Sequence, residues 1–141
     1  MINIRIATVE DVKQIYEMCL LFNGSKTKTS LQGVKDYLRK KEAIICVAQI
    51  EDKLVGFITG IIENNLSFGL PIGNISEVFV KVEFRQQGVA TKMFEQMEQE
   101  FSKKAVNRFR VFTTVDNINA VNFYKSQSYQ PFNTVMFRKD G

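Results

Sequence analysis

Histidine is absent from this chain. No Ser–His or Cys–His pair can therefore activate a nucleophile, and no imidazole can ligate zinc. Cysteine is scarce. Cys19 and Cys46 are the only two, each set among apolar neighbours. Such residues read as small buried hydrophobes rather than as nucleophiles or disulfide partners. Tryptophan is missing, whereas phenylalanine occurs 12 times. No apolar run approaches the ~18–20 residues of a membrane span. The N-terminus alternates and then turns polar, so no signal peptide is expected and a cytoplasmic location follows by default. Acid–base work must fall to carboxylates, tyrosine, lysine or water.

The length of 141 residues predicts one domain, large enough to bury a full core. Hydrophobic residues make up 45% of it, as in ordinary globular proteins. The net charge is +4 and the pI is near 9.1. That balance suits a polyanionic partner, whether a phosphate-bearing small molecule or nucleic acid.

Ile2, Ile4 and Ile6 alternate with polar residues and predict a first strand ending at Ala7. Thr8 is placed to cap a helix, with Glu10 and Asp11 in its first turn and Val12, Ile15, Tyr16, Cys19 and Phe22 on its buried face. Asn23-Gly24 ends it. A polar loop from Ser25 to Ser30 leads to a second helix, Leu31 to Lys40, with Val34, Tyr37 and Leu38 as its apolar stripe. Ala43 to Ile50 is nearly all apolar, as expected of a strand buried on both faces. Glu51-Asp52-Lys53 turns it into a hairpin with Leu54 to Ile62, where Gly56 and Gly60 mark bulges or close backbone approach. Glu63 to Gly73 reads as a loop. Further on, Arg108 to Val115 is strand-like, Asn119 to Lys125 helical, and Thr134 to Arg138 a last strand. The order β α α β β β α β α β predicts an α/β fold, a mixed sheet with helices on its faces.

One stretch organises the rest. Ile75 to Val82 is rich in β-branched and aromatic residues and reads as a strand. From Ala90 the apolar residues Ala90, Met93, Phe94, Met97 and Phe101 line one helical face. Between them lies the turn from Arg85 to Ala90, with a single glycine. A strand feeding a helix through such a turn aims several free N–H groups at one spot. The helix dipole adds positive charge there, so the spot suits a phosphate.

Arg85-x-x-Gly88-x-Ala90 resembles the Q/R-x-x-G-x-G/A signature of the GNAT superfamily of N-acetyltransferases. Asn117-x-x-Ala120-x-x-x-Tyr124 resembles that family's second motif, and the two blocks stand in the expected order. The likeness covers most of the chain, least from Leu20 to Lys41 and after Tyr129. It departs from the pattern at Val82, at Gln86, and at Ser128-Tyr129, where Gly-Phe is usual.

The resemblance implies a mostly antiparallel twisted sheet whose central parallel strands splay apart. It implies acetyl-CoA as cosubstrate, no metal, and transfer of acetyl to a primary amine of a small molecule or peptide in a ternary complex. The turn formed by Arg85, Gln86, Gln87, Gly88, Val89, Ala90 and Thr91 would hold the pyrophosphate, with Asn117 also near the cofactor. Backbone groups at Phe79 and Val80 would take the pantetheine arm as an added strand does. Gly88 lets phosphate approach without a Cβ in the way, and Arg85 either braces the turn or neutralises phosphate.

Tyr124 shares a helix face with Ala120 and would protonate the leaving thiolate; otherwise it packs beside Phe123. Glu77, an acid inside an apolar strand, is the candidate base; otherwise it faces solvent or pairs with Arg108 or Arg110. A binding module that holds acyl-CoA with weak or no catalysis is an alternative function. Another is an acetyltransferase acting on tRNA or a ribosomal protein. Nucleic acid is disfavoured as a partner, because Arg108-Phe109-Arg110-Val111-Phe112 fits a buried strand at least as well. A homodimer is compatible with the sequence.

Overall fold

The computed structural model describes residues 1–141. The layers follow from β2, Ala43–Ile50. Ile44, Cys46 and Ala48 face one side and Ile45 and Val47 the other, and all five are buried. A strand apolar on both faces needs cover on both, and this sets the layers. The strands β1 (Ile2–Ile6), β2, β3 (Lys53–Glu63), β4 (Ile72–Val80) and β5 (Phe109–Val111) lie in that order in one sheet. The first four are antiparallel to their neighbours, and β5 runs parallel to β4. Helices α1 (Val12–Asn23) and α2 (Leu31–Leu38) cover one face, packing on Phe57 and Phe79. Helix α3 (Val89–Lys103) covers the other with Met93, Phe94, Met97 and Phe101, all fully buried. Helix α4 (Ile118–Ser126) leans on α3 through Phe123 and Tyr124, both against the Phe94 ring.

Several expectations are corrected at the helix ends and in the tail. Thr8 does not cap α1 directly, because a 3-10 turn, Val9–Asp11, intervenes. The buried Asp11 carboxylate accepts the Thr8 N–H at 2.8 Å and both arms of Arg5 at 2.7 and 2.8 Å. The Arg5 guanidinium holds the Asp11 carboxyl below its usual range. On α1 the deepest residues are Ile15 and Met18, while Phe22 at the predicted seam stays 41% exposed. The strand expected from Arg108 to Val115 is paired only over Phe109–Val111. Thr134 to Arg138 is not a strand here; every residue from Gln130 onward is exposed. Strand propensity expresses fit to a neighbouring strand, and within this chain that segment has none.

The middle of the sheet carries the feature that matters for function. Thr59 pairs with Glu77 and Gly60 with Ile75, so Ser76 is an extra residue, a bulge in β4. Through it Ile75 and Val78 both pack toward α3, while Phe79 turns to the α1 side. Parallel pairing with β5 covers only Gly73, Asn74 and Ile75. Beyond Ile75 the two strands part, as the expected splay requires.

Close packing fixes α3 on this sheet. A Cβ built on Gly73 would come within 2.6 Å of the Phe101 ring, and one on Gly60 would do the same. Phe101 is fully buried and stacks on Phe109, with centroids 5.8 Å apart, so its ring has little room to retreat. Gly73→Ala is expected to destabilise the protein by about 2 kcal/mol, a typical overpacking cost. Urea unfolding checks this; an unchanged midpoint would mean that the ring moves freely.

Candidate active site

The end of β4 and the start of α3 wall a cleft of about 470 Å³, in the range of small-molecule sites. Eight predicted site residues line it: Phe79, Val80, Arg85, Gln86, Gly88, Val89, Ala90 and Thr91. The motif reading did not single out the other wall residues, which are Phe22, Val78, Phe84 and Phe123. Phe22 offered a signal in the sequence, a large apolar residue at the last turn of α1. Its ring meets those of Phe57 and Phe79 at 6.1 and 5.4 Å.

The floor of the cleft is main chain. Lys81 N–H donates to the Val55 carbonyl at 2.8 Å. Peptide groups alternate in direction along a strand, so those of Val80 point away from β3 and into the gap. Arg85 Nε donates to the Val80 carbonyl at 2.8 Å, and its guanidinium lies 5.9 Å from the Phe79 ring centroid. Of the two roles open to Arg85, this geometry favours bracing the turn. The Val80 N–H is left facing the cleft.

The turn then delivers the helix. Gln86 has φ +60° and Gly88 φ +81°, so two left-handed residues reverse the chain between Arg85 and α3. A left-handed conformation costs a non-glycine residue roughly 1–2 kcal/mol, which is why a glycine at the Gln86 position is a natural variant. Gly88 is the N-cap of α3 and offers no side chain to its free donors. The first helical bond there runs from Lys92 N–H to the Gly88 carbonyl, 3.1 Å. The N–H groups of Val89, Ala90 and Thr91 are therefore unpaired within the helix. A Cβ on Gly88 would meet nothing within 4 Å, so this end of the helix is open.

Four predicted residues lie outside the lining. The Gln87 side chain bridges the base of the turn, donating to the Glu83 carbonyl at 3.1 Å. Asn117 caps α4, accepting from Ala120 N–H at 3.3 Å. Tyr124 sits beside the lining residue Phe123, its ring 5.8 Å from that of Phe94. Burial raises its pKa above that of an ordinary phenol. Its hydroxyl keeps contact with solvent, since the one buried side-chain polar atom without a partner is Thr59 Oγ1.

Glu77 lies two residues before Phe79, toward the same face. It forms no ion pair: Arg110 reaches Glu63 at 3.1 Å, and Arg108 lies over the Phe68 ring. More than a third of Glu77 is exposed, yet partial burial raises its pKa above the usual carboxylate value. Its charge is felt by Cys19 and Tyr37, whose pKa values rise chiefly through burial and next through Glu77. Cys46 is buried among apolar side chains, and its thiol is pushed up to about 12. Cys46 is thus buried as expected, whereas Cys19 is only half-buried, and both thiols are free.

Unpaired helix N–H groups beside the free edge of a bulged strand fit a pyrophosphate joined to an extended amide arm. The chain belongs to the acetyltransferase (GNAT) family, whose model matches residues 9–129.

Solved structures share the fold at low identity. AAC(6')-Iy in complex with the bisubstrate analogue CoA-S-monomethyl-acetylneamine superposes with a TM-score of 0.90 at 15% identity, covering 100% of this chain and 99% of that one. An aminoglycoside acetyltransferase, meta-AAC0020 from an uncultured soil metagenomic sample, gives 0.88 at 19%, covering 99% and 95%. A ribosomal-protein-alanine N-acetyltransferase from Brucella melitensis biovar Abortus 2308 gives 0.84 at 13%, covering all of both chains. No group of three or more His, Cys, Asp or Glu side chains is placed to hold a metal, and no helix is long and apolar enough to cross a membrane.

Proposed function

We propose that this chain, acting as one unit over residues 1–141, transfers acetyl directly to the primary amine of a small molecule or peptide. Glu77 is assigned as base and Tyr124 as acid. The observation that carries this reading is the unpaired, partly buried carboxylate of Glu77 on the strand that also lines the cleft. Acetyl-CoA, when bound, supplies an activated acyl group on sulfur. Val89, Ala90 and Thr91 would hold its pyrophosphate by their N–H groups, and the Val80 N–H is aimed to polarise a carbonyl in the cleft.

A lysine-type amine, with a pKa of ~10.4, is almost wholly protonated near neutrality and attacks only when neutral. Glu77 is suited to remove that proton, directly or through one water. Its raised pKa makes it a better base than an ordinary carboxylate. Tyr124, protonated across the physiological range, is suited to return a proton to the leaving sulfur. The unpaired negative charge of Glu77 also favours a cationic acceptor, and the unpaired sheet edge at β5 favours self-association.

Acceptors should be sought by following thiol release over a panel of aminoglycosides, polyamines and alanine-initiated peptides. With the acceptor found, Glu77→Gln is expected to lower kcat/KM by about 100-fold, the lower end for a general base. The base works only when ionised, so wild-type activity should fall as pH drops through the Glu77 pKa. That limb lies above the range of an ordinary carboxylate, and Glu77→Gln should remove it. Stability discriminates a structural role. A raised folded pKa means that the folded state favours the protonated carboxyl, so the stability it contributes is present at low pH and lost as pH rises through that value. Glutamine stays neutral throughout and should not destabilise the fold at neutral pH. An unchanged acid limb in Glu77→Gln would remove Glu77 from the mechanism.

A further inference from the structure

The sheet face that carries Glu77 is only half covered. Helices α1 and α2 pack on Phe57 and Phe79 at one end of it. Farther along, the same face is formed by Thr59 and Glu63 of β3, Asn74 and Glu77 of β4, and Arg110 of β5. Gly60, Gly73 and Phe109 meet Phe101 on the opposite face, and the alternation of a strand puts their neighbours on this one.

β3, β4 and β5 carry only two acids, Glu63 and Glu77, and the fold treats them differently. Glu63 Oε1 accepts from Arg110 Nη2 and from Asn74 Nδ2, each at 3.1 Å, and Arg110 Nε donates to Asn74 Oδ1 at 2.9 Å. This closed triangle has no net charge. Glu77 takes part in no ion pair, so it is the one uncompensated anion that the three strands present. The surroundings are positive. Arg108, on the face of Arg110, lies 5.0 Å from the centroid of the Phe68 ring, and Lys40, just past α2, lies 5.0 Å from that of Tyr37. Neither cation is ion-paired.

On the reading that Glu77 meets the acceptor amine, we propose that the acceptor is a primary monoamine with an uncharged body, and that Arg110 sets this specificity by masking Glu63. A first ammonium is matched by Glu77. A second on the same molecule meets a Glu63 already neutralised, with Arg108 and Lys40 as the free charges nearby. An ammonium taken from water without a partner is costly, and bringing like charges together adds to that cost. Without Arg110, Glu63 would suit the second ammonium well. Thr59 stands opposite Glu77, and four residues of β3, a rise of ~13 Å, lead from Thr59 to Glu63. Two flexible carboxylate side chains shorten that span to one a triamine such as spermidine can bridge. An uncharged body instead meets the exposed rings of Phe68 and Phe112.

Calorimetric titration of the full-length, CoA-loaded protein with butylamine and with spermidine tests this. Both present a primary amine on a four-carbon chain. The part of the binding lost in Glu77→Gln is binding at this site. There the wild type should hold butylamine about 10-fold more tightly than spermidine. Arg110→Met unmasks Glu63 and should move that ratio about 10-fold toward spermidine. Glu63→Gln leaves Arg110 uncompensated and should move it the other way. A merely structural role for the pair would shift both amines together. Spermidine held more tightly than butylamine at the wild-type site overturns the proposal and leaves Glu77 as the partner of the amine, as does a ratio indifferent to Arg110→Met. Amine binding that is absent, or indifferent to Glu77→Gln, overturns the reading of Glu77 and the proposal with it. Should Arg110→Met lose the far-UV spectrum of the fold, the direction of the Glu63→Gln shift decides alone.

Discussion

Gly88→Glu is expected to abolish measurable acetyl-CoA binding in a protein that still folds. The substitution acts at the N-cap of α3, where the N–H groups of Val89, Ala90 and Thr91 stand free. A carboxylate placed there would occupy those donors itself and repel the pyrophosphate. The left-handed backbone at Gly88, φ +81°, adds strain of roughly 1–2 kcal/mol for any side chain. The fold should absorb this, because a Cβ at Gly88 meets no atom within 4 Å. The affinity loss should be ~1000-fold or more, on the order of 4 kcal/mol. Calorimetric titration with CoA measures it, and circular dichroism confirms the fold. A folded Gly88→Glu protein with wild-type affinity would show that the phosphates bind elsewhere.

Tyr124→Phe should separate turnover from binding. The hydroxyl keeps solvent contact at the side of the cleft, while the ring is held by Phe94 and Phe123. Phenylalanine preserves that packing, so stability and the CoA dissociation constant should stay near wild type. General acid catalysis is typically worth ~10²–10⁴-fold. A thiolate resembling that of cysteine, pKa ~8.5, leaves partly without help, which places the expected loss in kcat near the lower end. Burial keeps the Tyr124 pKa above that of an ordinary phenol, so the wild type retains its acid as pH rises. The variant depends on solvent protons, and its deficit should widen from pH 6 to pH 9. A variant fully active over that range would leave Tyr124 as a packing residue and water as the proton source.

These two residues also show how far the sequence could be read. Gly88 could be placed at the head of a helix because its constraint is local: a strand, a turn and a helix within some twenty residues leave few geometries, and free helix donors follow from any of them. Arg85 to Thr91 line the cleft, apart from Gln87, whose side chain turns back to the Glu83 carbonyl. Spacing singled out Tyr124, but spacing could not tell which of two adjacent aromatics lines the cleft. The packing of α4 in the assembled fold decides that, and Phe123 takes the lining position. Asn117, grouped with the cofactor by the motif, serves in this structure as the cap of α4.

The sequence by itself determined the element order as far as α4, the doubly buried β2 and the helix-opening turn, since each follows from a period or a turn within a few residues. Tertiary structure alone decided the rest. The bulge at Ser76 depends on which residue of β3 each β4 residue meets, and no local pattern records a partner on another strand. The same holds for Glu77, which could have paired with Arg110 until the sheet gave Arg110 to Glu63. It holds most plainly for Thr134–Arg138. Its residues encode a strand, but a strand is completed only by an edge to pair with, and that edge is a property of the assembled fold.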